Sequence, residues 1–232
     1  LTLPRKICIL LAISRERRVS QRAFGFEADD GPLDMLRHER PLWRRGLRVA
    51  GIDEAGRGSL CGPVVAAAVV LPPGVELPGV TDSKLLTDAV RRALLPLIRE
   101  RALAIGVGLR SARRIDATDI LYETKQAMLA AVAKLPAPPD FLLIDGNQPL
   151  PTTLPQRAVV KGDRLSLSIA AASIVAKVTR DDIMLRLHER FPQYDWRANK
   201  GYGVAAHLAA LRTHGPCCLH RFTFHGVQPD PP

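Results

Sequence analysis

The stretch Val49–Leu71, reading VAGIDEAGRGSLCGPVVAAAVVL, does most to limit what this chain can fold into. Two apolar runs within and around it, Leu47–Ile52 and Val64–Leu71, have the length and composition of buried strands. Between them stand an acidic pair, Asp53 and Glu54, and glycines at 56, 58 and 62. Successive side chains of a strand point to opposite faces, so the pair is expected to serve one site only where the first strand ends or bulges. The glycines let the backbone turn tightly and come close to a ligand.

The rest of the chain alternates between helical and extended patterns, which predicts an α/β fold. Pro72, Pro73 and Gly74 mark a loop, and Thr87 is placed to cap a helix running to about Ala102, with Pro96 expected to kink or restart it. A third strand is expected over Leu103–Leu109. A long helix is expected over Ile115–Leu135, with Ile120, Leu121, Met128, Leu129 and Val132 as core positions, ended by Pro136, Pro138 and Pro139. Phe141–Ile144 and Arg157–Val160 read as short strands that deliver Asp145 and Asp163 just beyond them. Ser168–Arg190 reads as a long helix whose Ala170, Ala171, Ala172 and Ser173 permit close packing on a sheet, and a last helix is expected over Val204–Thr213.

Three apolar strands thus place acids at their ends, an arrangement that points to convergence on one site. Read singly, each acid has an ordinary alternative. Asp53 and Glu54 could pair with Arg57 or Lys84, Asp145 could form a turn with Gly146 and Asn147, and Asp163 could cap the segment after it. Read together, they suit a metal-dependent phosphodiesterase. Hard divalent cations take carboxylate oxygens, and a pair of them roughly 3.5 to 4 Å apart stabilises both the attacking and the leaving oxygen of a phosphodiester. Asp181 and Asp182 follow Arg180 on a predicted helix and are expected to be solvent-facing or ion-paired.

A formal net charge of +10 suggests a polyanionic partner, with a solvated basic surface as the alternative. The four cysteines, Cys8, Cys61, Cys217 and Cys218, form no regular framework and are read as reduced thiols. A zinc cluster from Cys217, Cys218, His214 and His220 lacks the usual spacing, so a polar loop is expected there. No apolar run approaches the roughly 20 residues of a membrane span. Ile7–Ile13 is short and is followed by Arg15–Arg18 without a clear cleavage site, so export is not expected and a cytoplasmic location is.

The ordered motifs GIDEAGRG, DSK at Asp82–Lys84, IDGN at Ile144–Asn147, KGD at Lys161–Asp163 and IAAASIVAKVTRD at Ile169–Asp181 resemble bacterial ribonuclease HII over roughly Met35–Phe224. The resemblance implies a ribonuclease-H-like mixed sheet flanked by helices, with a small helical C-terminal subregion. It implies that Asp53, Glu54, Asp145 and Asp163 are catalytic and hold a Mg2+ or Mn2+ pair. It further implies an endoribonuclease acting on RNA–DNA hybrids and 5′ to single ribonucleotides in duplex DNA, working as a monomer. In the family, the turn here formed by Gly56, Arg57 and Gly58 recognises the ribose 2′-hydroxyl, and the tyrosine here numbered Tyr202 packs beside the junction nucleotides. Lys84, Lys161, Lys177 and Arg180 are candidate phosphate contacts, with plain surface charge as the alternative. Residues 1–33 are expected to be a disordered extension or an overextended reading frame, 34–226 the catalytic domain, and 227–232 a tail.

This chain departs from the family at Ser59, where proline commonly follows the turn. It departs also at Arg114, where an acidic residue is usual, and at HRFTFHGV over His220–Val227, which only approximates the family's ending. A ribonuclease HIII-like nuclease and a catalytically silent nucleic-acid-binding protein are the alternatives. Four acids beside a phosphate backbone would serve the silent protein poorly.

Overall fold

The computed structural model describes residues 34–228. The segment 1–33, including Cys8, and the last four residues lie outside the described residues. The strands are β1 (Val49–Ala55), β2 (Val64–Val70), β3 (Ala104–Arg110), β4 (Phe141–Asp145) and β5 (Gln156–Val159). The helices are α1 (Arg40–Trp43), α2 (Asp88–Arg101), α3 (Ala112–Ala117), α4 (Ile120–Ala133), α5 (Leu167–Arg190), α6 (Trp196–Asn199) and α7 (Ala205–His214).

The sheet runs in the order β3-β2-β1-β4-β5. β1, β2 and β3 pair antiparallel, while β1, β4 and β5 pair parallel. β2 is Val and Ala throughout and buried at every position, because a helix covers it on each face. Ala67 and Val69 face α5 with Ala171, Ile174 and Val178, whereas Ala66, Ala68 and Val70 share the opposite face with Ala127, Met128 and Ala131 of α4.

Gly51 sets how close α5 comes to β1. A Cβ there would fall 2.2 Å from the carbonyl carbon of Ser168, so only glycine fits. With Ile169 held over Gly51, four more helical residues advance about 6 Å, close to the two strand residues that separate Gly51 from Asp53. Ser173 therefore arrives beside Asp53. The N-terminus of α5 is fixed by Glu39, whose Oε1 accepts from Ser166 Oγ at 2.5 Å, Ser168 N at 3.0 Å and Ser168 Oγ at 2.6 Å. Burial pushes the Glu39 carboxyl above its ordinary range, against the pull of these serine hydrogen bonds.

Several expected elements differ in detail. Helix α2 is continuous through Pro96, which lies on the exposed face, where water can satisfy the carbonyl freed by the missing N–H. The long helix expected over Ile115–Leu135 is two helices, because the Asp119 carboxylate caps a new start by accepting from Tyr122 N at 2.8 Å. Met128 is buried, but Leu121 is 36% exposed and stands at the rim of the acidic cleft.

The C-terminal subregion is helical, with its own core of Met184, Tyr194, Trp196 and Leu211. Val227, assigned above to the tail, is buried in that core. Asp116 of α3 holds the segment that precedes it, accepting from Phe222 N at 2.9 Å, Thr223 N at 3.1 Å and Thr223 Oγ1 at 2.8 Å.

Candidate active site

The four acids gather where β1, β4 and the turn after β5 end on one side of the sheet. β1 and β4 are parallel with Ile52 opposite Ile144, so Asp53 and Asp145 are the next residues along two adjacent strands. Asp53 is 3% exposed and lies on the α5 face, where its carboxylate accepts from the Ser173 hydroxyl and, through Oδ1, from Glu54 N at 2.7 Å. Asp145 Oδ1 accepts from Gly162 N at 2.7 Å, which fixes the 3-10 turn Gly162–Arg164 and brings Asp163 alongside. Lys161 enters that turn in the left-handed conformation, with φ 56°.

The strand does not end at the acidic pair as expected. β1 runs on to Ala55, with Asp53 opposite Ala67 and Glu54 opposite Ala66 of β2. Glu54 therefore leaves the strand toward the other face. It still reaches the cluster because β4 stops at Asp145, and a cleft of about 100 Å³ lined by Glu54, Arg57, Leu121, Asp145 and Asn147 opens past that end.

Electrostatics tie the four together. Burial, then the charges of Glu54 and Asp145, push Asp53 well above the usual carboxylate range. Burial raises Glu54 too, opposed by Arg57, whose Nη1 lies 3.5 Å from Oε1. Burial and then the charge of Asp163 raise Asp145. Lys84 supplies a cation with its Nζ 3.1 Å from Asp163 Oδ2, and contact with Asp163 holds its ammonium above the usual value despite partial burial. The donor set is entirely carboxylate and under-compensated by cations, which suits hard divalent ions.

The supporting residues were the hardest to anticipate. Ser173 reads in the sequence as a small packing residue, yet it hydrogen-bonds both Asp53 and Ser83, the latter at 2.7 Å. Asp82 accepts from Lys84 N at 2.9 Å and from Arg164 Nε at 2.9 Å, joining the Lys84 loop to the Asp163 turn. Burial opposes the charged form of Asp82, but these hydrogen bonds win and hold it below the usual range.

The basic candidates separate. Lys161 is exposed, and the Lys84 side chain is 75% exposed. Lys177 Nζ is engaged by Asp181 at 2.7 Å, and Asp182 pairs with Arg92 at 2.6 Å. Arg180 is a correction. It is fully buried and bound within the protein, so its guanidinium is not presented to a phosphate. It lies instead 5.3 Å from the ring centroid of half-buried Tyr202, and Lys177 Nζ lies 5.5 Å from the same ring. Leu60 N donates to Gly201 O at 2.8 Å, so the Gly56–Gly58 turn and the Tyr202 loop are tied together.

No zinc site forms from Cys217, Cys218 and His214 among the described residues. The group whose ligand atoms do approach within 4.8 Å is Cys61, His207 and His220, all buried. Its ring nitrogens are already used. Trp196 Nε1 donates to His207 Nε2 at 3.1 Å, His207 Nδ1 meets Tyr202 O at 3.0 Å, and Cys217 N donates to His220 Nδ1 at 3.0 Å. The two imidazoles meet at 3.2 Å, which completes a hydrogen-bonded pair.

Residues 50–227 match the family model of ribonuclease HII, a range that takes in all four acids and every strand but for the first residue of β1. The chain belongs to the ribonuclease HII family. Ribonuclease HII of Geotalea uraniireducens is 53% identical over 204 residues, covering 88% of this chain and 94% of that one. Ribonuclease HII of Geobacter metallireducens is 54% identical over 198 residues, covering 82% and 93%. Among solved structures, ribonuclease H2 from Pyrococcus horikoshii OT3 superposes with a TM-score of 0.67 at 26% identity, covering 78% of this chain and 95% of that one. Bst-RNase HIII in complex with Mn2+ gives a TM-score of 0.59 at 21% identity, covering 91% and 78%, a likeness of fold. The mixed five-stranded sheet with flanking helices is thus the ribonuclease-H-like fold. As a ribonuclease HII, the chain is an endonuclease, a phosphodiester hydrolase acting on RNA–DNA hybrids.

Proposed function

We propose that this ribonuclease HII cleaves on the 5′ side of ribonucleotides, both in RNA–DNA hybrids and singly embedded in duplex DNA, leaving 3′-hydroxyl and 5′-phosphate ends. The observation that carries the reading is the junction of two features. A buried all-carboxylate cluster lies at one end of β1, and an exposed glycine-arginine-glycine turn continues from the same strand, joined to the cluster by the Glu54–Arg57 pair. One feature suits phosphodiester chemistry and the other suits a sugar edge, and a single nucleotide spans both.

Asp53, Glu54, Asp145 and Asp163 are the residues that would hold Mg2+ or Mn2+. When bound, such ions lower the pKa of a water and neutralise charge developing on the phosphate oxygens. The chain's own residues do the positioning. Ser173 and the Glu54 N–H orient Asp53, and Gly162 N–H orients Asp145. Lys84 stands at the open edge, exposed enough to meet a phosphate as well as Asp163. Arg57 and Gly58 are exposed at the turn, and Tyr202 is close enough to the same loop to pack on a sugar or base.

The fold and sequence also support a role in ribonucleotide removal from DNA, with a catalytic unit that extends through Val227, which is buried in the C-terminal core. No helix among the described residues is long and apolar enough to cross a membrane, and we place the enzyme in the cytoplasm as a monomer.

A duplex with one embedded ribonucleotide, incubated with and without magnesium, tests the reading. Cleavage 5′ to the ribonucleotide only with magnesium is expected. Asp53→Asn should abolish it and leave the fold intact. Because burial and the neighbouring charges hold Asp53 above its ordinary pKa, the neutral amide should also raise the melting temperature of the metal-free protein. Magnesium-independent cleavage, or near-normal turnover of Asp53→Asn, would overturn the assignment.

A further inference from the structure

Two arginines, Arg180 and Arg221, are 0% exposed, and neither makes an ion pair among the described residues. A guanidinium taken out of water without a carboxylate is costly unless its donors are satisfied. Here the loop after β1 satisfies them, with one addition, Lys200 O, which accepts from Arg180 Nη1 at 3.0 Å. Arg221 donates from Nη2 to Gly56 O at 2.7 Å and Gly62 O at 3.0 Å, from Nη1 to Arg57 O at 2.8 Å, and from Nε to Gly62 O at 3.2 Å. Arg180 donates from Nη2 to Ser59 Oγ at 2.7 Å and Cys61 O at 3.2 Å, and from Nε to Pro63 O at 3.1 Å. Ser59 Oγ in turn donates to Gly56 O at 2.9 Å. Burial, then the neighbouring charge of Arg180, push Arg221 down to about 10, which leaves it charged at neutral pH.

These contacts fix which way the loop's other polar groups point. The C=O and N–H of a trans peptide are antiparallel, and the described chain has no cis peptide. With Gly56 O and Arg57 O turned inward onto Arg221, the N–H groups of Arg57 and Gly58 must point outward. Both residues are exposed, and neither N–H meets an acceptor within the described chain. Gly56 is bound to this geometry. Its φ is +90°, and a Cβ there would fall 1.9 Å from Arg180 Nε. Two outward N–H groups on a loop backed by two buried cations form a site for an oxygen lone pair.

We propose that Arg221 is a specificity-determining positioning residue. By binding the carbonyls of Gly56 and Arg57 it presents the Arg57 and Gly58 N–H groups to the ribose 2′-hydroxyl, so that discrimination between ribo- and deoxyribonucleotide is set from beneath the loop. This rests on the reading of the substrate above. Ser59 is the local partner of the device: where the family commonly has proline, its hydroxyl bridges Arg180 and Gly56 O.

The test is equilibrium binding without divalent metal, comparing a duplex carrying one ribonucleotide with the all-deoxy duplex of the same sequence. The parent should prefer the ribonucleotide duplex. Arg221→Lys keeps the charge but not the planar fork. It should lose about tenfold of that preference, the scale of one charge-assisted hydrogen bond, with all-deoxy affinity unchanged. Amide exchange at Arg57 and Gly58 should change in the same variant. A preference retained in Arg221→Lys, or equal loss of affinity for both duplexes, overturns the proposal. A parent without any preference removes the substrate reading and the proposal with it. If Arg221→Lys fails to fold, Ser59→Ala decides in the same assay, with a severalfold smaller preference expected and an unchanged one overturning the proposal.

Discussion

Arg164 and Asp82 make a two-point contact, with Nε and Nη2 lying 2.9 and 2.8 Å from the same oxygen, Oδ2. Oδ1 is left free to accept from Lys84 N at 2.9 Å. One buried carboxylate thus connects the loop carrying Lys84 to the turn carrying Asp163.

Replacing it should disturb chemistry through geometry. Asp82→Asn should cost about 1 to 3 kcal/mol of stability, the penalty of breaking a buried charged contact, and should lower turnover. Because Arg164→Gln removes the same contact, the double variant should be little worse than either single one. Thermal melts and steady-state cleavage of the three variants check this. Fully additive losses would show that the contact is not the shared cause.

Lys84 is the cation nearest Asp163, at 3.1 Å, and its charge also bears on Asp53. Lys84→Gln removes repulsion toward an incoming divalent ion and also removes a phosphate contact. Half-maximal activity should therefore need less magnesium, while turnover at saturating magnesium falls about tenfold. A magnesium titration of cleavage separates the two effects. No change in either quantity would return Lys84 to surface charge.

Tyr202 carries no charge that would hold a metal, but its ring sits over Lys177 and Arg180 beside the loop that ends at Gly201. Aromatic contacts to nucleotides are worth about 1 to 3 kcal/mol per base. Tyr202→Ala should therefore weaken cleavage at a single embedded ribonucleotide by about ten- to a hundredfold. Tyr202→Phe should retain most of it. Equal activity of Tyr202→Ala and the parent would leave the residue a loop anchor.

The buried imidazoles predict an acid sensitivity that does not involve the catalytic carboxylates. Burial, then the proximity of His207, push His220 down to about 4, and burial lowers His207 as well. Each is neutral when folded and binds a proton near its ordinary value, about 6.5, when unfolded. The unfolded state then holds more protons, so stability is full above about pH 6.5 and declines as pH falls toward 4. His220→Gln should flatten that part of a melting-temperature profile in buffer without divalent metal. An unchanged slope would place the acid sensitivity elsewhere.

What the sequence shows and what it conceals divide along physical lines. Strands β1, β2 and β4 are legible because short apolar runs bounded by glycine, proline and acids leave few alternatives. The four acids are legible because each follows such a run. Glu54 was harder, since side-chain alternation puts it on the wrong face, and only the early end of β4 lets it reach Asp145. The break at Asp119 was concealed because the apolar spacing continues across it while the cap depends on one side chain. Arg180 reads as a surface phosphate contact because arginine is usually exposed. Nothing local to it reveals that the Ser59 hydroxyl and the carbonyls of Cys61 and Pro63, more than a hundred residues earlier, enclose it.

Trp196 has a use as a reporter. Of the two tryptophans, Trp43 is half-buried beside the sheet, while Trp196 is fully enclosed, stacked on Tyr194 at 5.1 Å and hydrogen-bonded to His207. Its indole is held in a dry, rigid setting mainly by groups of the C-terminal subregion, joined by Met184 of α5 and by Leu60 and Cys61 of the loop after β1. A Trp43→Phe protein would therefore carry a single tryptophan, which reports on the packing of that subregion against the loop after β1 and α5. Its emission would shift to the red when the subregion opens, and circular dichroism would follow the sheet and the long helices. Comparing the two signals during unfolding would show whether the part that carries Tyr202 comes apart with the catalytic sheet or ahead of it.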